Sequence, residues 1–481
     1  MTRYTETDTM LHHNNLPRTS PAQKLKQYVV ATLVSVGAIC AGTVLAWTAP
    51  ALSQILIPET ENATLRAKET GAPGFTIGEK EGAMVGSMLT IGALVAALPV
   101  GYIADKIGRR NTILMLSAPF VLNWILIIFS TNVAMVIAGR FFAGVGLGGV
   151  CVVVPMYIGE IADASSRGVL GSFFNLFLGV GMLTACVVGY FTNWVGLSLI
   201  LAIFPIAFGV SYFFIPETPT FLCEKRLIEQ AERVLTDLRG SNYNVSEEVK
   251  SIEKSIEESR ANSKTFAEIF SNRGNIRAII SVCGVLAYQQ LCGINAIVMY
   301  VDPIFKAAGS SLSSTIAGII LTLVQLVSAY LMTLLIEKAN RKLFLVLSST
   351  GMLLCMAALG MFFHLKNIGV DTSSIGFLPI SSCVLYMIAF SVGYGPIPWM
   401  LLGELYSSEI KGLGSGLGVV TNWIAAFLVT LLFPILNSSL GNHITFYIFS
   451  CILASASLFV YFVVPETRGK TLPQIQQELN R

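Results

Sequence analysis

This chain is short of charge. Only 12% of its 481 residues are Asp, Glu, Lys or Arg, where a soluble domain has about a quarter. With 54% hydrophobic residues, that deficit excludes an ordinary soluble protein and points to a polytopic membrane protein. The formal net charge of +3 is too small for the basic footprint of nucleic-acid binding. Metal-ligand spacing is missing as well. Of nine cysteines, eight lie in apolar runs, where the small buried hydrophobe is their ordinary role, and only Cys223 lies outside them. His12 and His13 are adjacent but sit in a polar tail, a poor setting for a metal. No catalytic dyad stands out, so no enzyme activity, cofactor or metal is expected. Residues 1–27 lack the apolar core and cleavage pattern of a signal peptide, so insertion is expected to begin at the first membrane helix.

What is present is a set of apolar segments, at about 28–49, 82–103, 112–131, 133–157, 169–191 and 195–215, then 277–301, 312–336, 343–364, 378–402, 412–436 and 445–464. The spacing predicts an all-α membrane protein of twelve transmembrane helices in two six-helix bundles, 28–215 and 277–464. A polar linker, 216–276, separates them, and polar tails occupy 1–27 and 465–481. Basic residues cluster in alternate short loops, at Lys106, Arg109 and Arg110, at Arg167, at Lys338, Arg341 and Lys342, and at Lys411. By the positive-inside rule these loops and both termini are cytoplasmic. Asn62 and Asn437 then head external glycosylation triplets. In the linker, Thr218-Pro219 predicts a helix start. Apolar residues at helical spacing run to Gly240, and Val249, Ile252 and Ile256 mark a second amphipathic stretch.

The halves repeat. Asp105-Lys-Ile-Gly-Arg-Arg110 is echoed by Glu337-Lys-Ala-Asn-Arg-Lys342, Glu160 with Arg167 by Glu404 with Lys411, and Pro216-Glu217-Thr218 by Pro465-Glu466-Thr467. Near-constant offsets mean a duplicated unit, the usual basis of alternating access. Each motif pairs acids with bases at a helix end. Plain anchoring is one role. A cytoplasmic gate tying the two bundles together is the other, and Arg140, at the head of the apolar stretch 141–155, is grouped with it.

The 278–301 run carries no formal charge yet contains Gln289, Gln290 and Asn295. These amides serve either as glue between helices or as a solute site. On a straight helix Gln289 and Asn295 point about 120° apart, so a shared target requires a break, and Gly293 predicts one there. Gly393-Tyr-Gly-Pro-Ile-Pro-Trp399 must likewise disrupt segment 10, with the ring of Trp399 beside the gap. The glycines of segment 4, from Gly139 to Gly149, predict close helix packing.

Together these motifs resemble the sugar porter family of the major facilitator superfamily, in its order from Asp105 to Thr467. Within it, Leu45–Pro50 and Trp399–Glu404 most resemble the insect facilitated trehalose transporters, and class III facilitative glucose transporters come next. The resemblance implies a facilitative carrier of trehalose, or alternatively of a hexose such as glucose, in the plasma membrane. Its partners are the sugar and the lipid bilayer, and a monomer suffices for transport. It implies sugar contacts from Gln289, Gln290, Asn295, Trp399 and Asn422, with Gln325 and Asn175 as amide departures from the family's residue types. Asn340 stands where the first half has Gly108 and can adopt the same left-handed turn. Ser391 replaces an acid common in relatives. Proton-driven members carry an acid in segment 1. The approximate match here is Thr43, and residues 28–50 hold no Asp or Glu, which implies uniport. A non-transporting sugar sensor is disfavoured by the short stretch after the last motif.

Overall fold

In the computed structural model, residues 21–55, 77–163, 166–240, 243–261, 272–308, 314–335, 340–406, 410–468, 470 and 472–480 are described. Among them, twelve helical spans are long and apolar enough to cross a membrane. Span 1 is α1 (Pro21–Ala46) with α2 (Thr48–Ile55). Spans 2 to 5 are α3 (Glu79–Ile107), α4 (Arg109–Ile128), α5 (Val133–Ile161) and α6 (Arg167–Phe191). Span 6 is α7 (Trp194–Leu201) with α8 (Ile203–Ser211). The linker forms α9 (Pro219–Glu224), α10 (Ile228–Arg239) and α11 (Val245–Ala261). Span 7 is α12 (Arg273–Leu291) with α13 (Ile294–Met299), and α14 (Val301–Ala308) follows it. Spans 8 and 9 are α15 (Ser314–Leu335) and α16 (Arg341–Asn367). Span 10 is α17 (Leu378–Val392) with α18 (Ile397–Glu404). Spans 11 and 12 are α19 (Lys411–Leu440) and α20 (Asn442–Val463), and α21 (Leu472–Leu479) comes last.

Several helices outrun their apolar segments, because charged residues at a membrane edge stay helical until a terminator arrives. The helix α3 carries Asp105 and Lys106 and stops at Gly108, whose φ of 98° suits glycine. Asn340 does not copy it. Its φ is −73° and ψ 113°, and its Oδ1 accepts from Arg468 Nη1 at 2.7 Å. The left-handed turn expected from the repeat is therefore absent in the second half.

Glycine sets the spacing inside the first bundle. A Cβ on Gly144 would stand 2.0 Å from the Leu89 carbonyl oxygen, and one on Gly148 2.3 Å from that of Ala93, so α5 lies directly on α3. Gly42 and Gly181 bring α1 and α6 together in the same way. The opposing atoms are backbone and cannot swing aside. Gly144→Ala is expected to cost about 1–3 kcal/mol or more, seen as earlier thermal unfolding of the detergent-solubilised protein. The bundles meet along α3 with α19 and along α6 with α15.

The linker helices start and stop where the sequence predicts, but the first stretch is split into α9 and α10 at Arg226, whose φ is 59°. The Thr218 hydroxyl accepts from Phe221 N at 3.4 Å, Pro219 opens α9, and Gly240 ends α10 at φ 102°. Leu222, Cys223, Ala231, Leu235 and Val249 make a small separate core. This unit is fastened to the first bundle. Gln27 donates to the Leu238 carbonyl at 2.9 Å. Arg239 Nη1 donates to the Ile161 carbonyl at 2.7 Å, where a cation suits the end of α5.

Candidate functional site

Both expected helix breaks are present. The helix α12 stops at Leu291, Gly293 has φ 92°, and α13 restarts at Ile294. The Cys292 carbonyl beside the turn accepts from the Tyr386 hydroxyl at 3.0 Å. In span 10 the chain is non-helical between Val392 and Ile397. Pro398 has no N–H, so the Tyr394 carbonyl loses its helical donor. Gln289 Nε2 supplies one instead, at 2.7 Å, and also donates to the Gly395 carbonyl at 3.0 Å.

The amides of span 7 continue from there. Asn422 Nδ2 donates to Gln289 Oε1 at 2.9 Å and to the Leu286 carbonyl at 3.0 Å. Gln290 Nε2 donates to Asn422 Oδ1 at 3.0 Å, and Asn295 Nδ2 to Gln290 Oε1 at 2.6 Å. The break at Gly293 thus brings Gln290 and Asn295 together, as a straight helix could not. Gln289 and Asn422 are 3% and 1% exposed, whereas Gln290, Asn295 and Trp399 are half-buried. Gln325 is half-buried on α15, and its buried Oε1 has no partner among the described residues. Asn175 is exposed on α6, and no described bond joins it to these amides. Ser391 is buried and its hydroxyl is unpartnered among the described residues.

The charged motifs form one rim, with the same plan in each half. Arg109 Nε donates to Glu160 Oε1 at 3.0 Å, and Arg341 Nη2 to Glu404 Oε1 at 3.0 Å. The Glu217 carboxylate accepts from the N–H groups of Arg109 and Arg110 that start α4. The Glu466 carboxylate does the same for Arg341 and Lys342 at the start of α16. Burial pushes the Glu217 carboxyl above its usual range, against the pull of those N–H groups and that of Thr218. The first half adds Asp105 and Glu224 around Arg109, at 3.1 and 3.3 Å. Arg110 instead lies over the Tyr212 ring, 4.3 Å from its centre. Among the described residues no ion pair joins the two bundles. Glu337, the Arg167 and Lys411 side chains, residues 1–20 and Asn62 lie outside the described residues. Asn437 is in the last turn of α19 with its Oδ1 buried, not on an exposed loop as a glycosylation acceptor should be.

Arg140 does not belong to this rim. It lies 20 residues before Glu160 on α5, about 30 Å along a helix, and is wholly buried near the opposite end. Its Nη1 donates to the Val44 carbonyl and its Nη2 to Thr48 Oγ1, both at 2.7 Å, and its Nε to the Val85 carbonyl at 3.3 Å. The guanidinium stands 5.2 Å from the Trp47 ring centre. The cation thereby braces the break in span 1, where Pro50 cannot donate to the Ala46 carbonyl. In span 1 it is Thr48 that faces this guanidinium, while the Thr43 hydroxyl donates to the Cys40 carbonyl at 2.7 Å. At this same end the bundles touch. A Cβ on Gly86 would stand 2.7 Å from the Tyr300 hydroxyl, and Cys186 Sγ is 3.6 Å from Thr322 Oγ1.

Comparison with known proteins agrees with this architecture. Residues 30–479 match the family model described as sugar (and other) transporter. The chain is 36% identical over 464 residues to the facilitated trehalose transporter Tret1 of Polypedilum vanderplanki, covering 96% of this chain and 90% of that one. It is 35% identical over 472 residues to Tret1 of Bombyx mori, covering 97% and 90%. It is 34% identical over 464 residues to Tret1 of Anopheles gambiae, covering 96% of this chain but only 57% of that longer one. In fold it is similar to the E. coli xylose transporter XylE. The partially occluded inward-open form superposes with TM-score 0.75 at 23% identity, covering 92% of this chain and 98% of that one. The twelve-span, two-bundle fold, the matched family model and the identities place this chain in the sugar porter family of the major facilitator superfamily.

Proposed function

We propose that this protein carries trehalose or a related sugar across the plasma membrane by alternating access, as a uniporter, with the charged rim and both termini on the cytoplasmic side. The observation that carries the reading is the pair Gln290 and Asn295, held half-buried at the Gly293 break, with the half-buried Trp399 just past the span 10 break. Amides both donate and accept, which suits hydroxyl-rich solutes, and an aromatic ring suits the apolar face of a sugar. Gln325 Oε1, buried and unpartnered among the described residues, offers a further acceptor. The printed names of the insect relatives support trehalose. Uniport is supported by the surroundings of Arg140, whose described partners are two carbonyls and a hydroxyl, with no carboxylate.

The test is uptake of labelled trehalose and labelled glucose into proteoliposomes, with and without an imposed proton gradient. Saturable uptake that equilibrates and ignores protonophore is expected, with trehalose preferred. Concentrative uptake that collapses with protonophore would refute uniport, and a preference for glucose would move the substrate to hexoses. Asn295→Ala is expected to raise KM tenfold or more with surface expression unchanged, which corresponds to about 1.4 kcal/mol. An unchanged KM would remove Asn295 from the site.

A further inference from the structure

Among the described residues two histidines meet at one end of the second bundle. His364 is in the last turn of α16, and His443 is the second residue of α20. Their ring centres are 5.4 Å apart and the ring planes cross at 84°. Both helix ends lie opposite the charged rim. His364 is 23 residues beyond Arg341 on α16, about 34 Å along a helix, and the hydrocarbon core of a bilayer is about 30 Å thick. His443 stands equally far before Glu466. The pair therefore sits at the boundary of membrane and water, with His364 exposed and His443 half-buried.

The backbone beneath the rings is fixed. A Cβ on Gly360 would stand 2.9 Å from the Tyr447 ring, so α16 and α20 are in close contact one turn from the histidines. The Phe363 and Phe446 rings stack beside them, 5.5 Å apart at 13°. Gly441 turns the chain into α20 at φ 83°, and a Cβ there would come within 3.3 Å of His443 Nδ1. Among the described residues no hydrogen bond occupies either imidazole.

This spacing has a chemical meaning. A zinc–imidazole bond of about 2.0–2.1 Å puts the ion about 3.2 Å from the ring centre, so two rings on one tetrahedral ion have centres about 5.2 Å apart. We propose that His364 and His443 together bind a divalent transition-metal ion such as zinc, which clasps the ends of spans 9 and 12, with water filling its other positions. Imidazole nitrogen suits zinc, copper and nickel, whereas magnesium and calcium prefer oxygen. The two ligands are far apart in the sequence, so no motif spacing announces them. The bundles meet along other helices, so the ion braces one bundle and does not lock it to its neighbour. The site stands independently of the sugar reading.

Thermal unfolding of the whole chain in detergent tests it. His12→Ala and His13→Ala are made throughout, because that adjacent pair can take a metal by itself. Zinc at 100 times its dissociation constant multiplies the ratio of folded to unfolded protein about 100-fold, and the unfolding midpoint is expected to rise by about 2 °C or more. The rise should vanish in His364→Ala and in His443→Ala, and magnesium should give none. No rise with zinc, or one that survives either substitution, would overturn the site. Copper(II) gives a second readout that does not depend on how stable the variants are. Its electron paramagnetic resonance spectrum should carry splitting from two imidazole nitrogens. Splitting from one nitrogen or from none would mean that the rings share no ion, and the clasp would be abandoned.

Discussion

Thr322→Cys is expected to stop transport under oxidising conditions and to regain it with a thiol reductant. Cys186 sits on α6 in the first bundle, and Thr322 on α15 in the second. Their Sγ and Oγ1 atoms are 3.6 Å apart and both residues are buried. A sulfur in place of that oxygen needs only a small approach to reach the disulfide length of about 2.05 Å. The contact lies at the end opposite the charged rim, where Tyr300 also rests on Gly86. Alternating access demands that this end open once per cycle, so a covalent tie across it removes one of the two states. Uptake should fall to the background of empty liposomes in the crosslinked fraction. Cys186→Ser in the same background should transport with or without oxidant. Wild-type rates from protein shown to be fully crosslinked would mean that α6 and α15 do not separate, and the rocking of one bundle against the other would have to be abandoned.

The second large effect concerns coupling. Thr48→Asp places a carboxyl where a hydroxyl now lies 2.7 Å from the Arg140 guanidinium. The segment that holds it, residues 28–50, has no acid of its own. A charged, hydrogen-bonded pair of this kind contributes about 1.5–3 kcal/mol. It would stiffen the span 1 break whenever the new carboxyl is ionised. Protonation at low pH removes that charge, so the pair is present at high pH and lost as pH falls. Uptake by the variant is expected to be slowed several-fold at neutral pH and to recover on acidification, whereas wild-type uptake changes little over the same range. Flat profiles for both proteins would show that this position does not govern proton sensitivity.

Much of the fold was legible because its punctuation is chemical. Gly293 and the Pro396-Ile397-Pro398 run cannot sustain a helix, and both breaks fall there. Thr218-Pro219 and Gly240 delimit the linker helices for the same reason. Pro50 carried an equal signal for span 1, where α1 gives way to α2. Arg140 was misplaced although segment 4 was bounded correctly. It stands near the start of a helix whose other end holds Glu160, so its partners had to be looked for at the opposite face. What no pattern in the chain reveals is which amides face inward to protein. Gln289 and Gln290 are neighbours of identical chemistry. Only the third dimension puts two orphaned carbonyls against the first and leaves the second half open.

The linker's attachment has a practical consequence. Because Gln27 and Arg239 fasten α10 to the first bundle, while α21 holds the second through Gln476 and the Leu405 carbonyl at 2.7 Å, the two helices are opposite arms of a caliper. Dyes on exposed positions of α10 and α21 would convert each rocking stroke into a change in energy transfer. Single molecules could then be timed through their turnover without a label anywhere near the amides.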